Sequence, residues 1–174
     1  EYIGFVNSGD ILVHNNLLSD LKSFIFKNNM PNAIYGNKLY VNKQGNISRV
    51  WRPGTFARWK YFYGWMTPHQ STYIQLASYK KYSLKFDETF SIAADYDLML
   101  RLFLKNKISP IYFDYDIIKM QEGGISNASF RLILRSNLEV LKSWYKNFVF
   151  VPFWIIITKP ASKVIQKFNF FRRS

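Results

Sequence analysis

The sequence predicts an α/β protein built on a mixed sheet. Two observations carry this. Short apolar runs at residues 2–6, 33–41, 71–74 and 108–113 have the length and composition of strands. Between them lie stretches with helical spacing, and Gly, Pro and Asn punctuate the changes. Alternation of this kind favours layers, because each helix must bury its apolar stripe against a sheet face. With 174 residues and 48% hydrophobic content, the chain suits one globular domain with a sizeable core.

The elements follow in order. Residues 2–6 read as a buried strand feeding the loop Asn7-Ser8-Gly9-Asp10. Asn15 is a candidate cap for a helix in which Leu17, Leu18, Leu21, Phe24 and Ile25 recur at helical spacing; Asn28, Asn29 and Pro31 stop it. Residues 33–41, a turn at 42–45 and a return strand at 46–51 form a hairpin. Residues 55–65 are aromatic and basic without a clean period. Pro68-His69-Gln70 precedes the strand at 71–74 and a short helix near 77–82. A helix is expected at 93–104, a strand at 108–113, a loop at Gly123-Gly124-Ile125-Ser126, and a helix from Asn127 or Ser129 to about Tyr145.

Composition narrows the function classes. The absence of cysteine excludes disulfides and cysteine-based metal sites. The formal charge of +13, from 24 Lys and Arg against 11 Asp and Glu, points to an anionic partner. The excess is uneven: after Asn127 the only acid is Glu139. Residues 148–157 are apolar, interrupted by Pro152, and flanked by Trp144, Tyr145, Lys146 and Lys159. This stretch is shorter than the roughly 20 apolar residues of a membrane-spanning helix. It suits a segment lying in an anionic membrane surface better than one entering a nucleic-acid groove. An anionic membrane surface is therefore an expected partner and nucleic acid is not.

Four places can carry chemistry. A carboxylate at Asp10, beside a glycine at a strand end, can hold Mg²⁺ or Mn²⁺ on a diphosphate; the same loop also makes sense as an ordinary turn. Asp95, near a helix start, can take a proton from an attacking hydroxyl, or it and Asp97 can merely favour the helix dipole. His69 can bind metal, phosphate or hydroxyl, or serve only as a structural residue. Gly124 and Ser126 can turn amides and a hydroxyl toward a phosphate, although a helix-entry loop explains them equally well.

Taken in order, Ile3-Gly4-Phe5-Val6-Asn7-Ser8-Gly9-Asp10, Ile34-Tyr35-Gly36-Asn37, Pro68-His69-Gln70-Ser71-Thr72, Phe86-Asp87-Glu88 with Ile92-Ala93-Ala94-Asp95-Tyr96-Asp97-Leu98-Met99-Leu100-Arg101, and Gly123-Gly124-Ile125-Ser126 resemble the family 2 glycosyltransferases of the GT-A fold. The nearest type is the non-processive bacterial enzymes of polysaccharide assembly; the Gln-x-x-Arg-Trp of processive synthases does not occur. The resemblance covers residues 2–126. It implies that residues 1–127 are the C-terminal part of a Rossmann-like GT-A domain and 128–174 a helical basic and aromatic segment. It also implies that the family's first strands, which hold the nucleoside, are missing, so that the chain is a fragment.

The implied roles are specific. Asp10 resembles the last carboxylate of the metal-binding DXD motif, with Asn7 or Gly9 where the first acid usually stands. Asp95 resembles the general base of inverting members, with Ala94 in a position often held by Glu. Asn7, Ser8, Gly9, His69, Gln70, Asp97, Gly124 and Ser126 would line the donor and acceptor sites. The implied reaction is metal-dependent transfer from a nucleotide-diphosphate sugar to a glycan or lipid-linked acceptor, on the cytoplasmic face of the plasma membrane. The competing readings are a non-catalytic basic module that binds membrane surfaces, and a degenerate transferase that keeps only the fold.

Overall fold

The computed structural model describes residues 1–123 and 129–159. The loop residues Gly124 and Ser126, and the basic residues Lys163, Lys167, Arg172 and Arg173, lie outside them. The element order is β1 (Tyr2–Gly4), β2 (Ile11–Leu12), α1 (Leu17–Lys27), β3 (Ala33–Val41), β4 (Ile47–Trp51), β5 (Thr72–Gln75), α2 (Leu76–Lys81), α3 (Ala94–Leu100), β6 (Ile111–Gln121) and α4 (Phe130–Asn147). A 3₁₀ segment, Arg58–Tyr63, and a 3₁₀ turn, His69–Ser71, lie between β4 and β5. The fold is mixed α/β, as expected.

The sheet runs β1-β5-β3-β6-β2, with β4 paired to β3. Only β3 and β6 are parallel neighbours; the other pairs are antiparallel. The first strand is shorter than expected and is not buried. It pairs on one side only, as an edge strand, and Gly4 is exposed. Strand β6 is longer than expected and continues to Gln121.

The reason lies in the middle of β3. Its partner register jumps from Tyr35↔Tyr112 to Asn37↔Asp116, so residues of β6 bulge there. Gly36 makes room for the bulge: a Cβ on it would stand 2.9 Å from the Phe113 carbonyl and 2.5 Å from Ile117. The Asn37 amide ties the bulge down by donating to Asp114 at 2.9 Å. Bulges disrupt a ladder and bend the strand, which hides period-2 patterning from a sequence reading.

Two apolar clusters hold the layers. On one face, Leu17 and Leu21 of α1 pack with Ile34, Ile117 and Ile118. On the other, α3 supplies Tyr96, Leu98, Met99 and Leu100, and α4 supplies Val140 and Trp144. The expected helix at 93–104 divides into α3 and a π-helical turn, Arg101–Lys105, whose Leu102 and Phe103 join the same core. The first helix ends at Asn28, as expected, but its start differs. The N-cap of α1 is Asn16 rather than Asn15, and it makes no side-chain capping bond. Ser129 does cap α4, accepting from the Leu132 amide.

Described residues after 129 share this core. Ile155 is buried against it, and Phe148 and Val151 pack on it. Gly64, with φ 78°, leaves space for the helical turn at 155–159: a Cβ there would stand 2.7 Å from the Lys159 Cβ. Among the described residues, no helix is long and apolar enough to cross a membrane.

Candidate functional site

Strand direction brings the candidate residues to one end of the sheet. β1 runs antiparallel to β5 and β5 antiparallel to β3, so β1, β3 and β6 share an orientation. Open α/β sheets bind ligands beyond strand carboxyl ends. Here β1 and β2 are opposite edges, joined by residues 5–10. Residues 7–10 close a turn in that connection, the Asp10 amide donating to the Asn7 carbonyl at 3.1 Å, and Asp10 directly precedes β2.

The second carboxylate arrives from the opposite layer. Asp95 is in the first turn of α3. Its Oδ2 lies 2.9 Å from Nδ1 of His69, and its Oδ1 accepts the Tyr96 amide at 2.7 Å. The pair is partly open to solvent, with 31% of the Asp95 side chain and 14% of the His69 side chain exposed. Burial pushes the Asp95 carboxyl up, but the bond and charge of His69, with the charge of Lys159, outweigh it and hold the group below the usual carboxylate range.

The loop that carries Asp95 is itself anchored. Glu139 of α4 accepts the backbone amides of Ser91, Ile92 and Ala93 at 3.2, 2.8 and 2.9 Å. Burial pushes the Glu139 carboxyl up; the three amides and Arg135 bring it below its ordinary value. His69 is anchored from the other side. The turn after Pro68 closes through the Ser71 amide to the Pro68 carbonyl, and the Ser71 hydroxyl donates to the Gly36 carbonyl at 2.9 Å. Gln70 accepts from Lys38 at 2.9 Å.

Tyr40 lies near the carboxyl end of β3. Its register partners are Met120 on β6 and Arg49 on β4. The Ile11↔Lys119 register brings Asp10, one residue earlier, into line with Met120. The Arg49 guanidinium lies 3.6 Å from the Tyr40 ring centroid, and its Nε is buried without a hydrogen-bond partner. The Tyr40 hydroxyl is pushed up to about 12: burial raises it, Arg49 opposes that, and the charges of both Asp95 and Asp10 raise it further.

The remaining candidates separate. Asp97 is fully buried and faces away from this cluster. Its Oδ2 accepts from Arg101 at 2.7 Å; its Oδ1 accepts from Ser143 at 2.8 Å and Asn147 at 2.9 Å. Those bonds join α3 to α4 and give Asp97 a structural place. At the loop, Gly9 has φ 85°, and the Asn7 amide donates to Asp10 Oδ2 at 3.3 Å. Among the described residues, no three His, Asp or Glu side chains come together as a ready metal site.

Tyr40, Arg49 and Glu139 were given no role by sequence reasoning, and Lys159 was read only as a flank of the apolar segment at 148–157. Only Glu139 left a signal, as a lone acid in a basic stretch with Arg135 four residues before it. The others look like ordinary hairpin and tail residues until the sheet is assembled. No protein-family model matches the chain, and no curated protein matches it. What the coordinates define is a mixed α/β protein with a carboxylate–imidazole pair near the strand carboxyl ends.

Proposed function

We propose that the chain carries the acceptor-activating and diphosphate-binding part of a GT-A glycosyltransferase that inverts configuration at the sugar. The supporting observation is the Asp95–His69 pair, 2.9 Å apart, near the carboxyl ends of the strands, with Asp10 at the start of β2 toward the same end of the sheet. A transferase of this kind needs an anionic centre that drives deprotonation of the acceptor hydroxyl, and a group that binds the leaving diphosphate. Asp95 meets the first need. Asp10, a partly exposed carboxylate with no ion-pair partner among the described residues, meets the second.

Asp10 fits Mg²⁺ or Mn²⁺ as a single oxygen ligand, with phosphate oxygens and water completing the shell, which is common for Mg²⁺. Bound there, the ion would neutralise charge on the departing diphosphate. The donor is a nucleotide-diphosphate sugar and the acceptor a glycan or lipid-linked hydroxyl.

Attachment to the inner face of a bacterial plasma membrane belongs to the same reading. Trp59 and Tyr63 of the 3₁₀ segment are exposed, as are Tyr145, Val149, Phe150, Phe153, Trp154 and Ile157. These two groups meet: Phe150 lies 6.4 Å from Phe62, and the Trp154 indole donates to the Phe62 carbonyl at 2.7 Å. Aromatic side chains with polar edges favour a membrane interface. Phe148 and Ile155, expected to enter the lipid, belong to the core instead. Lys146 pairs with Asp87, and Lys159 lies over the Tyr96 ring, so neither is held for lipid phosphate.

The test is transfer by the complete protein from nucleotide sugars, with Mn²⁺ or Mg²⁺. Asp95→Asn should lower kcat by about 10²-fold or more with donor affinity kept. Asp10→Ala should abolish metal-dependent transfer without unfolding the protein. Full activity of either variant rejects its assigned role.

A further inference from the structure

We infer that the proton of the acceptor hydroxyl is taken by Nε2 of His69, with Asp95 acting through the imidazole as its positioning residue. The inference rests on the transfer reading and names the atom that does its proton chemistry.

The geometry fixes the roles. An ionised carboxylate only accepts hydrogen bonds, so the 2.9 Å contact to Asp95 Oδ2 requires Nδ1 of His69 to carry hydrogen. A neutral imidazole protonated at Nδ1 presents its lone pair at Nε2. Among the described residues Nε2 accepts no hydrogen bond and donates none, and it is not one of the buried, unpartnered side-chain atoms. It is therefore available to an incoming hydroxyl. The ring cannot easily swing away, because the turn beneath it is fixed through Pro68, Ser71 and the Gly36 carbonyl. Preorganisation of this kind lowers the barrier to proton transfer.

Asp95 is less well placed to take the proton itself. Both its oxygens already accept hydrogen bonds, one from the His69 ring and one from the Tyr96 amide, whereas Nε2 of His69 is not so engaged. Among the described residues, the charged and titratable groups around the pair are Lys159 from the helical turn at 155–159, Tyr40 from β3 and, on the Gln70 side, Lys38.

The step balances. The acceptor oxygen forms a bond to the anomeric carbon as that carbon's bond to the diphosphate oxygen breaks. The diphosphate leaves with the electron pair, and the hydroxyl proton moves to Nε2. The resulting imidazolium keeps Nδ1–H on the Asp95 carboxylate, then loses the Nε2 proton to water.

Two measurements on the complete protein test this. The first is ¹⁵N NMR of labelled histidine, with His14→Gln used for assignment. At neutral pH, His69 should be protonated at Nδ1; a proton on Nε2 in the neutral ring overturns the inference. The second is steady-state transfer. His69→Ala should lose about 10²-fold or more in kcat, recover part of it with added imidazole, and lose the acid limb of the wild-type pH profile. His69→Gln guards against a folding defect in the alanine variant and should show the same loss. A glutamine variant that keeps kcat within a few-fold, while the wild type is active, overturns this inference and leaves the transfer reading standing. A wild type that moves no sugar from any nucleotide donor overturns both.

Discussion

Asp95 and Asp97 are separated by one residue and by very different surroundings. Asp95 is partly open and paired with an imidazole, whereas Asp97 is closed off between α3 and α4 and bonded by Arg101, Ser143 and Asn147. Removing one partner of a buried ion pair leaves the other charge uncompensated, at a cost of about 3–5 kcal/mol. Asp97→Ala should therefore lower stability by that order, read as an earlier midpoint in urea, while Asp95→Asn lowers kcat with little change in midpoint. If Asp97→Ala keeps the wild-type midpoint, or Asp95→Asn alone unfolds the protein, the division of roles between them is wrong.

Among the elements, α4 determines where α3 begins. Glu139 gathers the amides of residues 91–93, which precede the first turn of α3. Leaving buried donors unsatisfied costs about 1–3 kcal/mol. Glu139→Ala should thus lower Tm by roughly 2–4 °C per kcal/mol for a chain of this size. It should also lower kcat, because Asp95 follows the loop. The pH dependence has a definite sign. The folded-state pKa values of Glu139 and Asp95 lie below their ordinary values. Their contribution to stability is therefore full above the ordinary carboxylate range and is lost as pH falls through the folded-state values. Acid unfolding of Glu139→Ala should lose that part of its pH dependence; an unchanged acid titration curve of stability would contradict the anchor.

For the whole molecule, the informative surface is the aromatic one built by the 3₁₀ segment Arg58–Tyr63 and residues 149–157. Truncation after Trp144 cannot test it, because Ile155 would be lost from the core. Substitution at exposed positions can. Phe150→Ser combined with Phe153→Ser should weaken co-sedimentation with anionic vesicles at low salt while leaving Tm near wild type. Basic residues near an anionic surface contribute about 1 kcal/mol each, so binding should also weaken as salt rises. Vesicle binding that ignores both substitutions would move the membrane contact away from this surface.

Much of the architecture was legible in the chain because local signals encode it. The 33–51 hairpin follows from two strand-like runs around Asn42 and Gly45, and the Asn42 side chain does accept the amides of Gln44 and Asn46. The helix after residue 16 follows from its apolar spacing, and Ser129 from capping chemistry. Asp10, His69 and Asp95 were visible as chemically capable residues at loop and helix starts. Their relation to one another was not. It arises because β1 and β2 are opposite edges of one sheet, because β5 reverses direction beside β3, and because Glu139 pulls the start of α3 into position. Those are contacts between residues far apart in sequence, and periodicity carries no information about them. By itself the sequence determined the hairpin, the first helix and the α4 cap, the uneven charge and the candidate carboxylates. The tertiary structure alone decided that Asp95 meets His69, that Asp97 is buried, and that Phe148 and Ile155 turn inward, since each depends on which surfaces pack together.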